Sequence, residues 1–345
     1  MTVWNTLKAF LKINEAMSGK RDHRIDALKG VAIILVVLGH SIQINDPQYD
    51  HNLLFRIVFS IQMPLFMFLS GFIVLTQLHY SYGDFIKKHS VRLLIPFLVW
   101  HLIAYGLVRS NQEVSLATHF LNLIKAPGIG LWFLWVLFLN GALLFGALKF
   151  ARYKNWQRRE NYFVIAAILL SLAASPDFLA LSEFKQYFPY YAAGFFASKY
   201  LGVLRAHRKI IYATAVISFP FLVLGWMRNA MPTFYPALLS MIHSEPIARL
   251  VVSIYKYAVS FSGFAFCSFF LGLMRGRGFY WFLCWLGTLT LDIYVCHGYF
   301  LIKFGNGAVQ YLSAALVGMA LALLLTLLIM KRFRITRLLL LGQRR

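Results

Sequence analysis

The sequence predicts an all-α bundle of helices embedded in a membrane. Three observations predict it. Of the 345 residues 60% are hydrophobic, and mean hydropathy is +0.66, whereas a soluble domain is about half apolar. The apolar residues are gathered into repeated runs close to the roughly 20 residues that cross a bilayer as one helix. The basic residues fall in the gaps between runs, with a strong bias to alternate gaps.

Ten runs stand as transmembrane helices, at about 25–44, 53–77, 91–109, 131–150, 161–176, 186–203, 210–228, 247–274, 280–301 and 306–330. The fifth and sixth are short for a crossing. With the N-terminus placed inside, 25 of the 34 Lys and Arg lie on inner segments, 8 on outer segments or outer helix ends, and Lys29 within the first run. That asymmetry predicts both termini in the cytoplasm. The expected organisation is a cytoplasmic segment 1–24, a transmembrane domain 25–330 and a basic tail 331–345. Segment 1–24 shows no cleavable signal pattern and reads as an interfacial helix. The net charge of +22 is spread along the chain. It points to the lipid bilayer as partner and away from nucleic acid. Cys267, Cys284 and Cys296 have no paired spacing, so they read as small buried hydrophobes. No internal repeat stands out, which weighs against an inverted-repeat transporter.

Ionisable residues inside a membrane helix are costly and usually serve a purpose there. His40 lies about 15 residues into the first run and His297 about 17 into the ninth, so both sit at roughly 24 Å of rise. Equal depth lets two helices bring them to one cavity. Lys29 precedes His40 by eleven residues, close to three turns, on nearly the same helix face. Asp292 lies five residues before His297, deeper toward the cytoplasm, and needs a cationic or hydrogen-bonding partner. Gln62 precedes Pro64, whose ring frees backbone groups for a kink or a ligand. Lys87, Lys88 and Arg92 read first as topology signals, although Arg92 opens an apolar helix just before Ile95-Pro96, a position from which it can reach an anionic ligand. Trp132 suits an interfacial belt. No phosphate loop, metal-ligand cluster or nucleophile elbow is present. If the protein is an enzyme, its chemistry rests on histidine with help from a few polar partners, which suits acyl transfer to a hydroxyl.

Several motifs occur in order. They are Arg24-x-Asp26-x-x-Lys29-Gly30-x-x-Ile33-x-x-Val36-Val37-x-Gly39-His40, Met63-Pro-Leu-Phe-Met-Phe-Leu-Ser-Gly-Phe72, Phe85-Ile-Lys-Lys88 with Arg92-Leu-Leu-Ile-Pro96, Leu131-Trp-Phe-Leu134, and Leu286-Gly-Thr-Leu-Thr-Leu-Asp-Ile-Tyr-Val-Cys-His297. This set resembles the membrane-bound acyltransferase-3 family. It is most similar to the branch of fucose 4-O-acetylases and other exopolysaccharide or O-antigen acetyltransferases. That branch commonly has His where this chain has Gln62, and often Arg where it has His89.

The resemblance implies an O-acyltransferase of a bacterial inner membrane. It implies transfer of an acetyl group from cytoplasmic acetyl-CoA, with no bound cofactor, to a hydroxyl of a cell-surface glycan or its lipid-linked precursor. In that reading His40 is general base or acyl relay, and His297 assists it. Lys29, Lys88 and Arg92 meet the donor phosphates. Gln62, Asp292 and Trp132 contact substrate. Self-association into a homo-oligomer is compatible with it. Two readings stay open beside it: a succinyl or other acyl group or a non-sugar acceptor, and a transporter or flippase without covalent chemistry.

Overall fold

The computed structural model describes residues 22–108, 115–125, 130–154, 159–173 and 179–343. The interfacial helix expected within 1–24 lies, apart from 22–24, outside the described residues. No strand occurs among the described residues. The helices are α1 (His23–Asn45), α2 (Leu53–Phe72), α3 (Tyr82–His89), α4 (Ile95–Val108), α5 (Leu116–Lys125), α6 (Trp132–Tyr153), α7 (Glu160–Ala173) and α8 (Leu181–Lys199). They continue as α9 (Leu201–Ala206), α10 (Arg208–Leu222), α11 (Tyr235–Ile242), α12 (Glu245–Leu273), α13 (Gly278–Thr288), α14 (Thr290–Cys296), α15 (Ala308–Leu325) and α16 (Arg334–Leu341).

Seven spans are long and apolar enough to cross a membrane among the described residues, or up to eight if the bent pair α13–α14 counts as one. The chain is a multi-pass membrane protein. The two runs short of ten are the fifth and sixth. Helix α7 is described over 14 residues, roughly 21 Å of rise against a 30 Å core. Helix α8 carries Glu183, Lys185, Pro189 and Lys199, which lower its hydropathy.

The chain divides into two compact units. The first comprises 1–66 and 202–323, the second 67–201 and 324–345. In the first, Asp22 caps α1 by accepting from the Arg24 amide at 2.9 Å. The helix stops at Asp46, which is extended because Pro47 follows it. Helices α1 and α13 cross very closely. Gly30 lies against the Leu283 main chain, and Gly287 lies against that of Asp26. Small residues permit such an approach where lipid provides no hydrophobic drive between helices. Ala27, Leu271, Tyr280, Leu283 and Cys284 pack around the crossing.

Helices α13 and α14 meet at 65°. Thr288 Oγ1 donates back to the Trp285 carbonyl at 2.8 Å, and Thr290 Oγ1 to that of Gly287 at 3.4 Å. Such back-bonding by hydroxyls bends helices. The segment that follows is tied to α1. Asn45 Oδ1 accepts from the amides of Phe304 (2.7 Å) and Gly305 (2.9 Å), and Ser41 Oγ donates to the Tyr311 carbonyl at 2.6 Å.

In the second unit, Gly71 lies against Tyr191 and Gly194 against Phe68, a second close crossing. Phe85 stacks on Phe145 at 3.9 Å. Glu160 accepts from Arg152 at 3.0 Å and from Lys199 at 3.2 Å. The tail helix α16 folds back on α4, where Trp100 Nε1 donates to the Leu340 carbonyl at 3.1 Å.

Candidate active site

Helix α1 carries His40 and helix α14 delivers His297, both in the first unit. Their rings lie 5.3 Å apart, tilted by 35°. His40 is half-buried, and His297 is 5% exposed. The equal depth read along two helices has become direct proximity.

Each ring is held by a partner one turn away. His297 Nδ1 lies 2.8 Å from the Tyr294 carbonyl. A carbonyl accepts and never donates, so Nδ1 carries the proton and donates it. The neutral ring then keeps its lone pair on Nε2. His40 Nδ1 lies 2.9 Å from Gln43 Oε1. With the amide oxygen toward the ring, this nitrogen is again the donor and Nε2 the acceptor. The site therefore holds two imidazoles, each with an unprotonated Nε2 and an anchored Nδ1–H.

Gln62 of α2 is fully buried, and neither atom of its amide has a hydrogen-bond partner among the described residues. A Cβ placed on Gly39, next to His40, would stand 2.9 Å from Gln62 Oε1 and 2.6 Å from Phe59 Cε2. The unpartnered amide thus lies beside the His40 backbone, in space that a larger residue at position 39 would fill. The Phe59 ring meets His40 edge-on at 6.0 Å. Above it, the Arg228 guanidinium lies over the Phe59 ring, 4.6 Å from its centre.

The other expected residues are placed as follows. Lys29 is half-buried on α1. Asp292 is fully buried on α14, and its carbonyl accepts from Cys296 Sγ at 3.3 Å. Lys88, Arg92 and Trp132 belong to the second unit. Lys88 Nζ donates to Tyr80 Oη at 2.9 Å, and Arg92 Nη1 to the Leu341 carbonyl at 2.9 Å. Trp132 stacks on Tyr187 at 5.0 Å. Arg92 therefore neutralises the carbonyl end of α16, a favourable place for a cation.

Sequence reasoning missed Gln43, Tyr294, Phe59 and Arg228. The first two had a signal, since each stands three residues from a histidine on a helix, where side chains and carbonyls meet. Phe59 and Arg228 had none, being brought to the site by contacts distant in sequence.

Fold and site together define a polytopic helical membrane protein with paired imidazoles inside its bundle. The acyltransferase-3 family, described as an acyltransferase domain, matches residues 22–331. The chain belongs to this family. It is a membrane acyltransferase, and its reaction class is O-acyl transfer. It is 27% identical over 344 residues to the nodulation protein NolL of Sinorhizobium fredii, covering 88% of this chain and 87% of that one. It is 26% identical over 267 residues to the nodulation protein NolL of Mesorhizobium japonicum, covering 74% of this chain and 69% of that one. No solved structure matches the chain.

Proposed function

We propose that the protein moves an acetyl group from cytoplasmic acetyl-CoA to a hydroxyl of a cell-surface glycan or its lipid-linked precursor. The observation that carries this reading is the contact between two imidazoles whose Nε2 lone pairs are both left for substrate. In this reading the protein sits in a bacterial inner membrane with both termini inside. Lys29, Lys88 and Arg92 meet the donor phosphates as cations. His40 Nε2 withdraws the acceptor proton as the hydroxyl oxygen bonds to the thioester carbon. The carbon–sulfur bond then breaks, and the proton passes from His40 to the departing thiolate. An acyl-imidazole on the same nitrogen would divide this into two steps. His297, Gln62, Asp292 and Trp132 orient the substrates.

The test is label transfer from radioactive acetyl-CoA in sealed vesicles. Inside-out vesicles, which present the cytoplasmic face, are expected to label glycan, and right-side-out vesicles are not. Labelling in right-side-out vesicles alone would refute the cytoplasmic donor side.

Gln62 supplies a sharper test. A buried amide without a partner destabilises a fold by about 1–3 kcal/mol. Gln62→Met is therefore expected to keep or raise thermal stability. If the amide polarises the acyl carbonyl, turnover falls by about 10²-fold, as for loss of one oxyanion donor. Loss of stability with turnover intact would make Gln62 a structural residue.

A further inference from the structure

The turn after α1 and the segment after α10 form a cleft of about 580 Å³ in the first unit, lined by Gln48, Tyr49, His51 and Asn229 among others. Amides, an aromatic ring and an imidazole are the groups that hold a sugar. An aromatic row runs from this cleft to the paired histidines. Tyr49 contacts Phe55 at 4.8 Å, Phe55 stacks on Phe59 at 4.1 Å, and Phe59 meets His40 at 6.0 Å.

One wall of the cleft is held by a single carboxylate. Asp50 Oδ1 accepts from the Arg228 amide at 2.7 Å, and Oδ2 accepts from those of Asn229 (3.0 Å) and Ala230 (3.1 Å). Three amides on one carboxylate fix that backbone. Asp50 lines the cleft and keeps its negative charge, but three cationic side chains, Arg56, Arg228 and Lys256, are gathered near it. Arg56 donates to the carbonyls of Asp50 (2.9 Å) and Leu224 (2.7 Å), and Lys256 donates to that of Arg228 at 3.4 Å. The exposed Arg228 guanidinium has no side-chain hydrogen bond or ion pair among the described residues and rests on Phe59. Its backbone is clamped, its ring contact orients it, and its N–H donors remain unused. An arginine prepared in this way suits a phosphate or carboxylate.

We infer that Arg228, which adjoins this cleft through Asn229 and lies over the Phe59 ring between the cleft and His40, is the anion-binding arm of an acceptor subsite there. The acyl acceptor then carries a phosphate or carboxylate close to the sugar that is acylated. This rests on the proposed glycan acceptor and adds its charge. A lipid-carrier phosphate and an acidic sugar share the chemistry, and they separate experimentally.

The experiment is titration calorimetry on the full chain in nanodiscs. The probes are methyl glucoside, methyl glucuronide, glucose 1-phosphate and coenzyme A. One or both charged sugars are expected to bind about tenfold more tightly than methyl glucoside, the effect of one charge-assisted hydrogen bond. Preference for the glucuronide identifies an acidic sugar, and preference for the phosphate identifies a carrier phosphate. Arg228→Gln is expected to abolish the preference, and Arg228→Lys to retain part of it. Asp50→Ala, which releases the clamp but keeps the arginine, is expected to weaken it. The proposal is overturned by equal binding of all three sugars, by no binding of any, or by a preference that survives Arg228→Gln. It is also overturned if Arg228→Gln weakens coenzyme A instead. His40→Ala separates the two ideas. A charge preference that persists while this variant still transfers acetyl refutes the catalytic reading and leaves the subsite standing.

Discussion

His40→Ala is expected to abolish acetyl transfer while leaving the protein folded. General-base catalysis contributes about 10²–10⁴-fold, and a covalent role would raise the loss further. The ring is half-buried, and its polar partner is Gln43 on the same helix. Its removal therefore leaves no long-range hydrogen bond broken, and thermal stability should change little. His297→Ala should lower turnover less, because its Nδ1 already serves a backbone carbonyl and only Nε2 faces substrate. The measurement is label transfer from acetyl-CoA at matched protein levels, with melting followed in parallel. Transfer at the wild-type rate in His40→Ala would end the assignment. His40→Gln separates the two chemical roles, since an amide can hydrogen-bond the hydroxyl but neither takes its proton nor carries an acyl group.

The second large effect concerns packing. Gly30→Ala and Gly287→Ala should each destabilise the protein by about 3 kcal/mol or more, beyond ordinary overpacking of a core. A methyl group at Gly30 would run into the Leu283 carbonyl, and one at Gly287 into that of Asp26. Main chain cannot rotate away as a side chain can, so the two helices must part. Their separation would also move the histidines, because α1 carries His40 and α13 leads through the bend into α14, which His297 directly follows. Activity should fall along with stability. The control is internal: Gly106 and Gly272 have nothing within 4 Å of an added Cβ. Alanine there should be neutral or stabilise by up to about 1 kcal/mol, the helix-propensity gain. Thermal melting of solubilised protein measures all four. Equal effects at the four positions would refute the close crossing.

Much of the candidate site was legible because helix geometry converts position into depth. A rise of about 1.5 Å per residue placed His40 and His297 at one level. Lipid makes every polar residue in a span conspicuous, which singled out Gln62 and Asp292. The fifth and sixth runs, already short in the sequence, are α7 and α8, where the described apolar stretches are short or interrupted by charge. For Arg92 the sequence showed the charge but not the neighbour: the fold gives one of its N–H groups to the Leu341 carbonyl, 249 residues away.

The sequence by itself determined the membrane-embedded helical class, the motif order that marks the family and the two histidines at equal depth. These are local properties, set by composition, periodicity and helical rise. Tertiary structure decided that the two rings touch, that the bend at Leu289 precedes His297, and that Arg228 rests on Phe59. It also decided that Gly30 and Gly287 let α1 and α13 meet. Periodicity gives the depth of a side chain. Which neighbour it faces depends on how distant helices pack, and close main-chain contact between them is settled by the fold.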